Sequence, residues 1–344
     1  MITLLKGDFL FSAMQEKNPY VKQFPDLMSG KKIMYVHGFG SSAQSGTVSR
    51  IRQTFPHAEV MAYDLPIHPA EAMALLHEKC GQEHPDLIIG TSMGGMYVEM
   101  LYGYDRILIN PAFQIADTMH EHGLTGKQQF FAPREDGIQE FYVDKALVKE
   151  YRQVSEQCFS QVTAEEQQRV YGLFGDKDPL VHTFDLFREH YPQAVRFHGE
   201  HRMDDSSFLH GVVPVIRWID DKQEGRERPV VYVAFDSLLD SREQPVSSMR
   251  KALELLIESC QLFIVAPSPS YDSLYINKVT AWVEQYVGTL AYNRVVFTNQ
   301  PSLLYGDYFV APVPDKSFLG TTIQFGSNDF KTWEEIIDYF SKCL

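Results

Sequence analysis

Cysteine is scarce in this chain of 344 residues: Cys80, Cys158, Cys260 and Cys343 are scattered, with no C-x-x-C pair among them. Disulfide-built and zinc-ribbon scaffolds need denser, patterned spacing, so both are excluded and a reducing, cytoplasmic setting is expected. Long apolar runs are missing as well. No stretch approaches the roughly 20 residues of a membrane-spanning helix. The apolar run within Met1–Met14 is broken by Lys6, Gly7 and Asp8, unlike the core of a signal peptide. Positive charge is in deficit, with Lys+Arg 31 against Asp+Glu 45 and a formal net charge of −14. Such a field repels phosphate backbones and anionic lipid, so neither nucleic acid nor a membrane is expected as a partner. The histidines His57, His68, His77, His84, His120 and His122 show no H-E-x-x-H or other metal spacing. No zinc site and no other cofactor is therefore expected. There is no internal repeat and no low-complexity tract.

What remains is an ordinary globular composition, 44% hydrophobic and 22% charged, in a chain long enough for two domains. From residue 31, short apolar runs alternate with amphipathic stretches: IMYVH (33–37), EVMAY (59–63), DLIIG (86–90), RILIN (106–110), RVYGLFG (169–175) and AVRFH (194–198). Near-continuous aliphatic runs of this length suit strands buried on both faces, joined by βαβ crossovers, and predict a parallel sheet of about six strands. Residues 113–165 interrupt the alternation with Phe130, Phe131, Phe141 and Tyr142 among polar residues. An excursion after a strand's C-terminal end reads as a cap over a ligand site. Residues 220–229, DDKQEGRERP, have the composition of an exposed linker. A second α/β series follows, with strands expected at 229–235, 262–267 and 294–298 and helices at 246–258, 274–287 and 331–341. Tyr271, Tyr275, Trp282 and Tyr286 fall on one packed helix face. The expected organisation is an N-terminal extension (1–30), a first α/β domain (31–220), a linker (221–228) and a second, smaller α/β domain (229–344).

Two constellations carry chemistry. Gly90-Thr91-Ser92-Met93-Gly94-Gly95 follows an apolar run and precedes a helix-compatible one, so G-x-S-x-G stands in strand–turn–helix context. A nucleophilic serine needs such a strained turn, and the small residues Gly90 and Gly94 let strand and helix approach without Cβ clashes. A serine hydroxyl is a weak nucleophile until a base takes its proton. The acid and the histidine are expected downstream: Asp178, favoured over Asp176, in Gly175-Asp176-Lys177-Asp178-Pro179, and His201, favoured over His198 and His210, just after the next strand. Oxyanion donors are expected from the Met93 N–H and, in His37-Gly38-Phe39-Gly40, from the Phe39 N–H; such a donor contributes roughly 3–4 kcal/mol. His37 is expected to orient its loop rather than to move protons.

On YVHGFGSSAQSGT, IIGTSMGG, INPA, GDKDPLV and GEHR, residues 32–220 resemble the α/β-hydrolase superfamily, and within it the short bacterial YqiA-like esterases. The resemblance implies an α/β-hydrolase domain, a Ser92–His201–Asp178 triad and a small-molecule acyl substrate. The long 113–165 insertion departs from those esterases and puts their substrate preference in doubt.

Residues 229–341 resemble the 5′(3′)-deoxyribonucleotidase branch of the haloacid dehalogenase (HAD) superfamily, on VYVAFDSLLD, LFIVAPSPSYDSLYINKVTAWVEQYVG, RVVFTNQPSLLYGDYFV and IQFGSNDFKTWEEIIDYF. In that family the first strand ends in D-x-D-G, where the first aspartate attacks phosphorus. Here Ala234 stands in its place and only Asp236 remains, while the phosphate-steadying lysine falls near Pro301 and the magnesium carboxylates fall on Ala311-Pro312. In-line phosphoryl transfer without nucleophile, metal site or cation has no source of charge stabilisation. The expected function is a serine hydrolase of ester, thioester or amide bonds with a catalytically silent HAD-like (Rossmannoid) C-terminal domain. The alternative is a non-catalytic binding or regulatory protein built on two retained folds. Whether the chain forms homo-oligomers is left open.

Overall fold

The computed structural model describes residues 22–197, 199–269, 272, 274–287, 294–313 and 315–343; the readings made for Met1–Met14, His198 and Tyr271 lie outside them. The chain packs as two compact units, one built from the chain up to Val170 with Leu180–Leu186, the other from Tyr171–Pro179 and Phe187–Leu344.

In the first unit β1 (Lys32–Val36), β2 (Glu59–Ala62), β3 (Leu87–Thr91) and β4 (Arg106–Ile109) are all parallel, in the order β2-β1-β3-β4. Consecutive residues point to opposite faces of a strand, yet Leu87, Ile88 and Ile89, like Ile107, Leu108 and Ile109, are all fully buried. Both faces are therefore covered, which is why these strands read as unbroken apolar runs. Each such side chain contributes about 1.5–3 kcal/mol on burial. The helices α1 (Gly46–Thr54), α2 (Pro69–Glu83) and α3 (Met93–Glu99) make the crossovers.

The 113–165 excursion comprises α4 (Ile115–Glu121), an antiparallel hairpin of β5 (Gly126–Gln129) and β6 (Glu140–Val143), and α5 (Lys145–Ser155). The Asp144 carboxylate caps α5 by accepting the Leu147 N–H at 2.8 Å. Leu147, Tyr151 and Val154, spaced for one helix face, are buried, as are Ile115, Ala116 and Met119 of α4. The two helices thus belong to the core, and it is the hairpin and its connecting loop that leave Phe131, Ile138 and Tyr142 exposed.

The second unit contains a parallel strand pair and a parallel sheet. β7 (Val170–Gly175) pairs with β8 (Ala194–Phe197), so together with β1 to β4 all six runs read as strands are strands. After them α6 (Val213–Gln223) runs into the charged segment, where Arg226 pairs with both Asp220 and Asp221, and Arg228 pairs with Asp221. The second sheet has the order β11-β10-β9-β12-β13, all parallel: β9 (Val230–Ala234), β10 (Gln261–Ala266), β11 (Val295–Phe297), β12 (Tyr308–Ala311) and β13 (Thr321–Gln324). The alternation is clean. Val231, Val233, Ile264 and Val310 pack with residues of α7 (Met249–Ser259), α8 (Tyr275–Tyr286) and α9 (Trp333–Cys343), while Tyr232, Val265, Phe309 and Ala311 form a separate cluster with Phe318.

Within this unit the strand pair and the sheet are tied by charge and stacking. Arg196 of β8 pairs with Glu284 of α8 at 3.3 Å, and the Arg294 guanidinium lies 4.2 Å from the Trp218 ring of α6 and 5.5 Å from that of Phe263 on β10. Among the described residues no helix is long and apolar enough to cross a membrane.

Candidate active site

Ser92 sits between β3 and α3 with φ 57° and ψ −120°, a conformation that costs an L residue about 1–3 kcal/mol. Three backbone bonds hold it: the Ser92 N–H donates to the Ile109 carbonyl at 2.9 Å, and the Ser92 carbonyl accepts from Met96 (3.2 Å) and Ala112 (3.0 Å). The flanking glycines are there for contact. A Cβ on Gly90 would lie 2.4 Å from the Gly94 carbonyl oxygen, and one on Gly94 would lie 2.1 Å from that of Val36. No side chain fits at either position, so β1, β3 and α3 meet backbone to backbone under the serine. Met93 opens α3, and its N–H is one of the helix's first four donors, which have no carbonyl partner within the helix.

The register Val36↔Gly90 brings the loop after β1 to the same turn, and a Cβ on Gly38 would lie 3.3 Å from the Ser92 Cβ. The loop folds as a turn: the Ser41 N–H donates to the Gly38 carbonyl at 3.2 Å, with Gly40 at φ 69° in third position, where only glycine is at ease. His37 is buried. Its Nε2 accepts the Leu65 N–H at 3.2 Å, and its Nδ1 lies 2.9 Å from the Gly38 carbonyl, which can only accept, so the network assigns the proton to Nδ1. Burial lowers its pKa below 6.5. A neutral ring with both nitrogens engaged holds a loop.

Beside Met93 and Phe39 lies an apolar recess of about 20 Å³, closed by Ile67, Phe130, Phe141 and Tyr151. The Phe39 ring meets those of Phe141 (5.2 Å) and Tyr151 (6.1 Å) edge to face. Both come from the 113–165 excursion, which therefore supplies a wall of this recess.

In the second unit β7 ends at Gly175 and delivers Asp176 and Asp178 to one loop. Asp178 Oδ2 lies 2.7 Å from His201 Nδ1; the carboxylate side chain is 2% exposed and the imidazole 17%, so the acid is dry and the ring reachable. With Nδ1–H donating to the carboxylate, Nε2 is the acceptor nitrogen. Asp176 does something else. Its Oδ1 accepts the Gly199 N–H at 3.0 Å and its own N–H donates to Phe197, while Lys177 donates to the Gly199 carbonyl, so these bonds fasten the two loops together. His210 is exposed on a π-turn at Phe208–Val212.

Further along, Ala234 ends β9 and Ala311 ends β12, adjacent strands in register at Val233↔Val310. The chain leaves β9 for β10 on one side and leaves β12 for β13 on the other, so these two ends flank the sheet's switch point, where a ligand site belongs in an open α/β sheet. Two methyl groups stand there. Asp236 is exposed on the turn that follows, and Asp307 accepts the Val230 N–H at 2.8 Å. Among the described residues no group of three or more His, Cys, Asp or Glu side chains gathers to hold a metal.

Two residues that the motifs do not mark belong to the surroundings of the Gly38–Ser41 turn. Asp64, just after β2, accepts the Ala43 N–H at 2.8 Å on Oδ1 and the Glu135 N–H at 2.7 Å on Oδ2. Arg134 donates to the Leu65 carbonyl at 3.1 Å, pairs with Asp136 and stacks 4.6 Å from the Phe130 ring centroid. Both act through backbone groups remote in sequence, which leave no motif.

Parallel sheets with both faces covered and a serine elbow at a strand's C-terminal end define the class: an α/β fold of the α/β-hydrolase type, followed by a second parallel α/β sheet. Residues 32–199 match the family described as an uncharacterised protein family, UPF0227, in keeping with the resemblance to YqiA-like esterases. A curated Vibrio phage KVP40 protein named "Putative 5'(3')-deoxyribonucleotidase" is 24% identical over 139 residues, 39% of this chain and 77% of that protein. Similar solved structures include a monoacylglycerol lipase of Paleococcus ferrophilus (15% identity, TM-score 0.40, 58% of this chain and 96% of that one). A soluble variant of the Saccharomyces cerevisiae monoglyceride lipase is another (11% identity, TM-score 0.41, 58% and 89%).

Proposed function

We propose that the protein is a serine hydrolase of ester or related acyl bonds, with Ser92 as nucleophile, His201 as base, Asp178 as its orienting acid, and the Met93 and Phe39 N–H groups as oxyanion donors. The observation that carries the reading is Ser92 held in a strained backbone conformation by glycines that admit no Cβ. A structural turn has no need of such strain.

The chemistry follows from these groups. Ser92 Oγ attacks the acyl carbon as His201 Nε2 takes its proton, and the carbonyl oxygen becomes an oxyanion held by the two amides. Collapse expels the alcohol, thiol or amine, which receives that proton from His201, and leaves an ester on Ser92. Water, deprotonated by His201, then releases the acid. The buried Asp178 carboxylate keeps the ring in the tautomer this cycle uses.

The second sheet is proposed as catalytically silent, since its switch point presents Ala234 and Ala311 where phosphoryl transfer needs carboxylates. The test is labelling of the full chain by a fluorophosphonate probe, followed by a panel of p-nitrophenyl acyl esters. Labelling of the native chain that disappears in Ser92→Ala is expected. Equal labelling of the variant moves the nucleophile elsewhere.

A further inference from the structure

The insertion is joined to the oxyanion loop by polar contacts that the hydrolase chemistry above does not require. Asp64 is the junction. One of its oxygens takes the Ala43 N–H, on the segment that continues from the Gly38–Ser41 turn, and the other takes the Glu135 N–H, on the loop between β5 and β6. Two further contacts run parallel to it: the Phe131 N–H donates to the Gly40 carbonyl at 2.7 Å, and Arg134 donates to the carbonyl of Leu65, whose own N–H is held by His37. Gly40 is also close-packed here, for a Cβ on it would lie 3.0 Å from the Phe131 ring. The hairpin loop, the loop after β2 and the turn bearing Phe39 are thus linked at three points. The same hairpin carries Phe130 and Phe141, which wall the recess beside Met93.

An ionised carboxylate accepting two amides makes charge-assisted bonds, stronger and more directional than neutral ones. An asparagine in its place presents an NH₂ to one of the two N–H groups and can serve only one segment at a time. An oxyanion donor acts only if it is in place before charge develops, and a displacement of about 1 Å costs up to roughly 10²-fold in rate.

We propose that Asp64 is a positioning residue that couples the insertion to the oxyanion loop, so that closure of the apolar recess and alignment of the Phe39 N–H are one event. This rests on the reading of Ser92 as nucleophile. The test uses the full chain, with p-nitrophenyl acetate turnover as readout and fluorophosphonate labelling of Ser92 as reference. Asp64→Asn is expected to lower kcat about tenfold or more while KM changes less than about threefold and Ser92 is still labelled. Glu135→Pro removes the second amide reaching Asp64 and restrains Arg134 before it, both on the insertion's side of the junction, while the Ala43 amide stays; it should lower kcat similarly, and the double variant should lose no more than either single one.

An unchanged kcat in Asp64→Asn with Ser92 labelled overturns the positioning role and leaves the hydrolase reading standing. Losses that add in the double variant, or no loss in Glu135→Pro, overturn the coupling. Failure of the native chain to label overturns the hydrolase reading itself. If Asp64→Asn does not fold, Glu135→Pro alone decides: its kcat either falls at constant KM, as the coupling requires, or does not.

Discussion

Ser92 and its glycines concentrate the site's demands into a few atoms. Gly94→Ala would press a methyl group to 2.1 Å from the Val36 carbonyl oxygen, so the strand and helix must part; the expected outcome is loss of probe labelling together with a destabilisation of several kcal/mol, measured by denaturant unfolding. On the proposed triad, His201→Ala and Asp178→Asn should each lower kcat by about 10³-fold or more, because serine, histidine and aspartate of such a triad act as a unit. Asp176→Asn should cost less, since its carboxylate is spent on the Gly199 amide; a larger loss there would shift the acid by two residues. His37 gives a pH test. Its folded pKa lies below the ordinary 6.5, so on acidification the unfolded chain takes up the proton first. The stability due to the neutral ring is fully present above pH 6.5 and is lost as pH falls from there toward the lower folded value. In melting experiments the advantage of the native chain over His37→Asn should therefore shrink as pH falls below 6.5; an advantage that stays constant to pH 5 refutes the assignment.

Elements differ in how they write themselves into sequence. The six strands of the first series were legible because burial on both faces leaves unbroken aliphatic runs, and the elbow because G-x-S-x-G encodes a local backbone contact. The hairpin of β5 and β6 was not. GKQQ contributes no apolar side chain, and EFYV buries only Phe141 and Val143, so the pairing comes from the other strand rather than from a local pattern. β13, TTIQ, buries Ile323 alone and was hidden for the same reason. Asp64 and Arg134 went unmarked because their partners lie 21 to 71 residues away and are backbone groups. The hairpin nonetheless carries a prediction. Replacing residues 126–143 by a short linker, and so keeping the buried faces of α4 and α5, should blur discrimination among acyl chain lengths while Ser92 is still labelled. An unchanged chain-length profile would deny the hairpin a part in substrate choice.

At the scale of the whole molecule, the C-terminal sheet keeps the order of a doubly wound fold while its switch point is methyl-lined. Residues 229–344, assayed in the full chain, should show no magnesium-dependent hydrolysis of deoxynucleoside monophosphates; turnover that disappears in Asp236→Asn would overturn the silent reading. The packing assigns this sheet a different kind of consequence. Asp178 and His201 share their compact unit with it, and Arg196, on the strand just before His201, leans on Glu284. Modularity is what this arrangement gives up. A gene trimmed after residue 228 retains every letter of the hydrolase motifs, yet it removes Glu284 and Arg294 and bares Trp218. The trimmed chain should melt lower and turn over more slowly than the full one, so a complete set of motifs is here no guarantee of a portable enzyme.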